Sequence, residues 1–260
     1  MFLDSIATHG RLSGRGFMIA KAFAANGAKV YITGRRLDVL DQAAASITGV
    51  PGSIVPIQMD VTDEESVKAG AKHIEGIDGK LDILVNKFVN GTTLGSSCPC
   101  QCPGSAGFAA SLRDPDFVAK KYAAEDIFEP ETVQNWADIF ALNTIAPFFV
   151  IRAFQSLLIK GAHSRPQGTS SVINISSVAA KMNTTSPMIT VAYSVTKAAL
   201  DKLTLVLATS FGGRGIPIRV NALQPGPFAS EMVTPEFLEG LKTTLAPGQV
   251  ALIPARRHGT

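Results

Sequence analysis

The sequence predicts an α/β protein with a doubly wound parallel sheet, and two observations lead to this fold class. Apolar segments of strand length alternate along the chain with helical segments. A glycine-rich turn, Gly10 to Gly16, precedes the first predicted helix. Alternation at this spacing implies βαβ units, because parallel strands need a crossover connection between them. The length of 260 residues and the 46% hydrophobic content suit one domain or two small ones, and we predict a single domain over residues 1–260.

The individual elements follow from the same pattern. Five apolar runs predict the strands after the first one: residues 28–33, 54–59, 81–85, 171–175 and 216–222. Four segments predict helices: residues 16–26, a helix that starts within residues 62–65, residues 136–160 and residues 192–207. Glu64 and Glu65 fall in the first turn of the second of these helices, where the helix dipole favours acidic side chains.

The composition argues against several classes of protein. The net charge is +3 and the basic residues are scattered, so no nucleic-acid surface is predicted. The first five residues lack the basic and apolar regions of a signal peptide. The most apolar stretch, residues 139–154, is interrupted by Asn143, Pro147 and Arg152, and we expect it to be too short and too polar to cross a bilayer. The expectation is a soluble cytoplasmic protein that binds neither nucleic acid nor membrane.

All three cysteines lie close together, at Cys98, Cys100 and Cys102. Zinc sites favour Cys-x-x-Cys pairs or distant partners, and no histidine lies near this segment. A flexible loop is therefore favoured over a metal site, and no metal is predicted.

Tyr193 and Lys197 are the first candidate catalytic pair. They fall one turn apart on one face of the helix predicted at residues 192–207. A phenol normally has a pKa near 10, but a neighbouring ammonium favours the phenolate and lowers that pKa. The spacing also occurs by chance on helices, so the rest of the chain decides its meaning. Ser177, just after an apolar strand, is placed to hydrogen-bond a substrate oxygen.

The glycine turn and the segment after the second strand predict a dinucleotide cofactor. Glycines between a strand and a helix let the backbone approach a pyrophosphate, which the helix N-terminus stabilises. A plain tight turn is the alternative interpretation. After the second strand the chain has Arg35 and Arg36, whereas Asp38 already lies inside the next predicted helix. Arginine there accommodates the 2′-phosphate of NADP, so NADP(H) is favoured and NAD(H) stays possible; ordinary solvated charges are the alternative.

Taken together and in order, these residues resemble the motifs of the short-chain dehydrogenase/reductase family, a Rossmann-like fold. The resemblance runs from about residue 5 to the C-terminus. The chain positions that fit the family's motifs are Gly10, Gly14 and Gly16 for the glycine turn, Asp60 for the adenine contact, Asn86 after the fourth strand, Asn143, Ser177, Tyr193 and Lys197 for the catalytic tetrad, and Pro225 and Gly226 for the nicotinamide loop.

The resemblance implies an NADP(H)-dependent carbonyl reductase or alcohol dehydrogenase. Ser177 and Tyr193 would hydrogen-bond the carbonyl oxygen, and Tyr193 would act as general acid and base. Lys197 would lower the pKa of Tyr193 and hold the nicotinamide ribose, and Asn143 would hold a water of the proton relay. Ser230 would replace the threonine that binds the carboxamide. The resemblance also implies a homodimer or homotetramer. The alternatives are a buried helix asparagine bonded to backbone for Asn143 and a strand-end cap for Ser177.

The chain departs from the family pattern in four places. His9 replaces a threonine, and Arg15 replaces an apolar residue between two glycines. After Asn86 the family's Asn-Asn-Ala-Gly motif gives way to Lys87, and we expect an insertion at about residues 87–105. Residues 254–260 resemble the sequence before the family's last helix and strand, so we expect a truncated C-terminus that lacks the last edge strand and leaves the sixth strand exposed.

These departures keep two alternatives open: a catalytically silent binding protein of this fold, and a NAD-dependent alcohol dehydrogenase. The segment at residues 114–130 is expected to border the substrate pocket. The expected pocket walls, at residues 178–190 and 228–241, are mostly apolar. They favour a ketone, an acyl chain or a polyketide-type substrate over a free sugar.

Overall fold

The computed structural model describes residues 5–9, 15–87, 132–166, 168–183 and 191–226. These residues form six strands: β1 Ser5–His9, β2 Lys29–Gly34, β3 Ser53–Gln58, β4 Ile83–Asn86, β5 Ser170–Ile175 and β6 Ile218–Leu223. The strands lie in the order β3-β2-β1-β4-β5-β6, and each adjacent pair is parallel. The predicted doubly wound parallel sheet is confirmed. The strand order reverses between β1 and β4, which is where this architecture places its ligands.

Helices connect the strands. They are α1 Arg15–Ala25, α2 Leu37–Ala45, α3 Glu64–Asp78, α4 Val133–Phe140, α5 Ala146–His163 and α6 Val191–Gly213. The predicted start of α3 is confirmed: Asp63 caps the helix by accepting the Glu65 N–H, at 3.2 Å. The C-terminal strand predicted to be missing concerns residues 227–260, which lie outside the described residues.

The helix predicted over residues 136–160 is instead two helices, α4 and α5, joined by a π turn at Ala141–Ile145. The first of these helices begins at Val133, earlier than predicted, because the Thr132 side chain caps α4 by accepting the Asn135 N–H. Pro147 gives the physical reason for the π turn. It has no N–H to donate to the carbonyl of Asn143 four residues earlier. The turn widens to i→i+5 bonds, as the Ala146 N–H bonded to the Ala141 carbonyl shows.

The helical stretch Val133–His163 corrects the membrane expectation. With 31 residues it is long and apolar enough, by length and composition, to cross a bilayer, and the predicted shortfall in length was wrong. In the structure 44% of its apolar window is buried. Val150, Phe154 and Leu158 of α5 pack into the core beneath the sheet, as expected for the buried stripe of a core helix.

The sheet is buried on both faces, as parallel sheets are. Alternation along β2 shows this directly. Tyr31 packs with α3 and α5 on one face, whereas Val30 and Ile32 pack with α1 and α2 on the other. All four residues of β4 are buried. The site at the carboxyl ends of the strands therefore rests on a scaffold packed from two sides.

Gly161 allows α5 to approach the start of β4 closely, and this contact gives a stability prediction. A Cβ at Gly161 would lie 2.1 Å from the Leu81 carbonyl oxygen. That backbone is held in place, since the Leu81 N–H donates to the Leu157 carbonyl at 3.0 Å. Gly161→Ala is expected to lower the free energy of unfolding by about 1–3 kcal/mol, as overpacking does, measured by urea denaturation.

Gly76→Ala is the matched control. Gly76 lies on the exposed side of α3, and a Cβ there meets no atom within 4 Å. Alanine at this position is expected to raise the free energy of unfolding by roughly 0.5–1 kcal/mol, because it restricts the unfolded chain and favours the helix. If both substitutions changed the free energy of unfolding by the same amount, the close approach of α5 to Leu81 at Gly161 would not be what limits packing there.

A polar cluster joins β2 to the end of α3. The Tyr31 hydroxyl donates to Asp78 Oδ2 at 2.6 Å, and Lys29 Nζ donates to Asp78 Oδ1 at 2.7 Å. Burial, and then the hydrogen bond to the Asp78 carboxylate, raise the pKa of Tyr31 to about 12. The hydrogen bond to Asp78 also raises the pKa of Lys29. In both groups the folded state favours the protonated form.

This cluster predicts a loss of stability in alkali. An unfolded tyrosine has a pKa of about 10, so above that pH the unfolded chain releases a proton that folded Tyr31 keeps until about pH 12. Tyr31 therefore makes its full contribution to the free energy of unfolding below about pH 10. This contribution is lost as the pH rises to about 12. Tyr31→Phe is expected to make this decline shallower, with the Lys29 contribution remaining. Urea denaturation at a series of pH values measures it, and an unchanged slope would contradict the assignment.

Candidate active site

Predicted site residues gather at the carboxyl ends of the strands. Asp60 follows β3, Asn86 ends β4, Ser177 follows β5 and Pro225 follows β6. Because the strands are parallel, their carboxyl ends share one edge of the sheet. Two of these loops are also bonded to each other, since the Val178 N–H donates to the Pro225 carbonyl at 3.2 Å. Gly10, Gly14 and Ser230 lie outside the described residues, as do the three cysteines and most of the predicted pocket walls.

Tyr193 and Lys197 lie one turn apart in the first two turns of α6. Lys197 Nζ lies 5.8 Å from the centroid of the Tyr193 ring, so the predicted pairing on one helix face is confirmed. Lys197 is only 2% exposed, and its Nζ donates to the Ile175 carbonyl at 2.9 Å. In return, Ser176 Oγ donates to the Lys197 carbonyl at 3.2 Å. The ammonium is therefore held against the end of β5, next to Ser177.

Ser177 is half-buried and has extended backbone. Its Oγ accepts the Ala179 N–H at 3.2 Å and so caps the short 3₁₀ turn Val178–Ala180. The capping role that was an alternative to catalysis is thus present. It leaves the hydroxyl proton of Ser177 available, because none of the described residues accepts that proton in a hydrogen bond. The two roles are compatible.

Asn143 lies in the π turn and is 4% exposed. Its Nδ2 donates to Thr196 Oγ1 on α6 at 3.1 Å, so the alternative of a bond to backbone was wrong. Its Oδ1 is buried and has no partner among the described residues. A buried carbonyl without a partner is costly, which indicates that a donor group or water occupies this position when the site is filled.

Asn86 ends β4 at the switch point and is 1% exposed. Its Nδ2 donates to Asn174 Oδ1, and Asn174 Nδ2 donates in turn to Thr204 Oγ1, both at 2.9 Å. Asn86 Oδ1, like Asn143 Oδ1, is buried without a partner among the described residues. Sequence reasoning did not identify Asn174, Thr204 or Thr196. The sequence signal that could have found them is a polar residue inside an apolar strand, as at Asn174, or on the buried face of a helix, as at Thr196 and Thr204.

The segment after β2 has the predicted charges. Arg35 and Arg36 are both exposed, and Arg36 stands just before α2. Gln58 Nε2 donates to the Arg35 carbonyl at 2.9 Å and so fixes the backbone there. Asp38 lies in the first turn of α2, as predicted. No acidic residue occupies the segment between β2 and α2, where an acid would bind the ribose 2′-hydroxyl.

Asp60 forms a tight turn after β3. Its Oδ1 accepts hydrogen bonds from Thr62 N at 2.9 Å and from Thr62 Oγ1 at 2.7 Å, and its own N–H donates to Ser66 Oγ at 2.9 Å. These bonds hold the carboxylate in one orientation at the edge where the adenine contact is predicted. Lys87, which replaces the second asparagine of the family motif, is buried beside Asn86.

The residues present fit a nicotinamide dinucleotide. Gly16 lies buried in the first turn of α1. Two guanidinium groups stand at the end of β2, and Asn86 and Asn143 each present a buried acceptor that needs a donor. Within the described ranges, no group of three His, Cys, Asp or Glu side chains could hold a metal ion.

A match to a protein-family model decides which family this chain belongs to. The model of the short chain dehydrogenase family matches residues 6–96 and 123–239, more than half of the chain. The chain belongs to the short-chain dehydrogenase/reductase family. The resemblance inferred from the motifs is confirmed, and with it the class of oxidoreductase. The predicted insertion at residues 87–105 stays a prediction, because its residues 88–105 lie outside the described residues.

Similar proteins include two curated relatives and one solved structure. The short-chain dehydrogenase/reductase VdtF of Byssochlamys spectabilis is 33% identical over 239 residues, covering 85% of this chain and 72% of VdtF. The galactitol 2-dehydrogenase (L-tagatose-forming) of Cereibacter sphaeroides is 30% identical over 227 residues, covering 87% and 72%. The Pseudomonas aeruginosa RhlG/NADP active-site complex has a TM-score of 0.72 at 26% identity, covering 99% of this chain and 84% of that one.

Proposed function

We propose that this short-chain dehydrogenase/reductase transfers a hydride between NADP(H) and a ketone or secondary alcohol, with Tyr193 as general acid and base. The observation that carries the proposal is the buried Lys197 ammonium, 5.8 Å from the Tyr193 ring centroid and bonded to the strand end that precedes Ser177. General acid–base work at neutral pH needs a group whose pKa lies near the operating pH. A fixed ammonium beside a phenol lowers the pKa of the phenol from about 10 toward that value.

In this proposal three side chains carry out the proton steps. In reduction, Tyr193 gives its proton to the substrate oxygen, and in oxidation it takes that proton back. Ser177 donates its hydroxyl proton to the same oxygen while its Oγ keeps the bond from the Ala179 N–H. Lys197 cannot turn away from Tyr193 freely, since its Nζ is bonded to the Ile175 carbonyl.

The cofactor is assigned to the edge of the sheet around the switch point. The glycine turn of Gly10, Gly14 and Gly16 and the N-terminus of α1 would hold the pyrophosphate. Arg35 and Arg36 would bind the 2′-phosphate, Asp60 and Asn86 would border the adenosine, and Pro225, Gly226 and Ser230 would flank the nicotinamide. When bound, the nicotinamide supplies the hydride in reduction and accepts it in oxidation. The likeness to an NADP complex supports this choice of cofactor.

The substrate class is proposed at the level of a ketone or secondary alcohol. The relative that forms L-tagatose acts, by its name, on a secondary alcohol of galactitol. The apolar residues predicted around the pocket favour less polar ketones instead. Both groups of compounds therefore belong in a test of activity.

The deciding experiment is a fluorescence titration of the full chain with NADPH and with NADH, followed by NADPH consumption with apolar ketones and with L-tagatose. Tight NADPH binding with consumption supports the proposal. Binding without consumption of NADPH would favour a silent member of the family. Tighter binding of NADH than of NADPH would favour a NAD-dependent dehydrogenase, and binding of neither would refute the cofactor assignment.

A further inference from the structure

Thr196 lies between the two predicted catalytic side chains of α6 and is 0% exposed. Its Oγ1 donates to the Tyr193 carbonyl at 2.8 Å and accepts from Asn143 Nδ2 at 3.1 Å. Its own carbonyl accepts from Thr144 Oγ1 at 3.1 Å. Two neighbouring residues of the π turn thus reach one residue of α6, which lies next to Lys197 in the chain.

The chemistry of the hydroxyl fixes the orientation of the Asn143 amide. A threonine hydroxyl has one proton to donate, and here the Tyr193 carbonyl takes it. Thr196 Oγ1 can only accept from Asn143, so the amide must turn its NH₂ group toward α6. The carbonyl Oδ1 is then the end that faces away from α6, buried and without a partner among the described residues. The site therefore presents an acceptor at this position rather than a donor.

We propose that Thr196 is a positioning residue of the active site: it sets the amide orientation of Asn143 and fixes the π turn against the Tyr193–Lys197 helix. This inference rests on the proposed function. Without the hydroxyl, the Asn143 amide loses the bond that selects its orientation, and α6 keeps the bond from Thr144 but loses the one from Asn143. The chemical step then slows because the proton-transfer groups are less well placed, whereas substrate and cofactor keep their contacts.

Thr204 supplies a matched control on the same helix. Its Oγ1 donates to the Leu200 carbonyl at 2.8 Å and accepts from Asn174 Nδ2 at 2.9 Å, and it is 3% exposed. Thr196→Val and Thr204→Val each remove one donated and one accepted hydrogen bond from a buried position of α6. Comparable losses of stability are expected from the two variants, but only the first one affects Asn143 and Tyr193.

The experiment compares Thr196→Val, Thr196→Ser and Thr204→Val with the wild type at saturating NADPH. Thr196→Val is expected to lower kcat by about 10–100-fold with little change in substrate KM, in line with small misplacements of reacting groups. Thr196→Ser keeps the hydroxyl and is expected to restore kcat. Thr204→Val acts through Asn174 on Asn86 of the cofactor site, so it is expected to weaken NADPH binding and to keep kcat near the wild-type value once NADPH is saturating. Equal losses of kcat in the two valine variants, or an unchanged kcat in Thr196→Val, would overturn the proposal.

A second measurement separates this inference from the proposed function. Ultraviolet difference titration, with Tyr193→Phe subtracted, follows the ionisation of Tyr193, because the signals of the other tyrosines cancel in the difference. Thr196→Val is expected to shift the Tyr193 titration, and Thr204→Val is not. If the wild type consumed no NADPH, the proposed function would fail, and this titration would decide the role of Thr196 alone. An identical Tyr193 titration in both valine variants would then refute it.

Discussion

Tyr193→Phe is expected to lower kcat by about 10²–10⁴-fold, the contribution typical of general acid–base catalysis. Phenylalanine keeps the ring and removes only the hydroxyl group, so the variant is expected to fold and to bind NADPH. Lys197→Met tests the second half of the pair. It removes the ammonium beside the ring, and we expect the apparent pKa that governs kcat to rise, because the phenolate loses its nearest positive charge. Profiles of kcat against pH for both variants measure these effects.

The control for the lysine substitution lies on the same helix. Lys202 is exposed on α6, and Lys202→Met removes one charge from that helix without touching Tyr193. Its pH profile is expected to match the wild type. A Tyr193→Phe variant that keeps most of its kcat would refute the assigned acid and base. A Lys202→Met profile shifted as far as that of Lys197→Met would show that the effect is one of net charge.

The sequence predicted the parts of this site that depend on local spacing. Tyr193 and Lys197 are four residues apart on a segment with helical periodicity, so their pairing on one face required only helix geometry. Arg35 and Arg36 follow an apolar strand directly, so their place at its carboxyl end was equally local. Thr196 was not recognised, because its importance depends on a contact with Asn143, 53 residues earlier in the chain. Contacts of this kind are tertiary and leave no periodic pattern.

The π turn illustrates a different limit. Apolar periodicity over residues 136–160 predicts a helix, but it does not distinguish i→i+4 from i→i+5 bonding. The helix predicted over these residues runs past Pro147, and the structure adds a π turn at Ala141–Ile145 just before this proline. Recognising the π turn therefore required the hydrogen-bond consequence of Pro147, its missing N–H, and not the apolar pattern.

Replacing both Arg35 and Arg36 with alanine is expected to weaken NADP(H) binding by about 10²–10⁴-fold and to leave NAD(H) binding unchanged. Hydrogen bonds to charged groups contribute about 1.5–3 kcal/mol each, and every 1.4 kcal/mol corresponds to a factor of about ten in Kd. Both arginines are exposed at the carboxyl end of β2, so their removal leaves no buried partner unsatisfied and the fold is expected to persist. Fluorescence titration with the two cofactors measures the change.

The role of these arginines is decided by whether the double variant loses affinity for NADP(H) but not for NAD(H). Arg214→Ala, at an exposed position just after α6, removes a positive charge away from β2 and is expected to leave both Kd values unchanged. Salt should weaken NADPH binding to the wild type more than to the double variant, since an exposed guanidinium–phosphate contact is screened by ions. A double variant that loses NADH binding as strongly as NADPH binding would show that Arg35 and Arg36 do not recognise the 2′-phosphate. The preference for NADP(H) would then have to arise from other residues of the adenosine site.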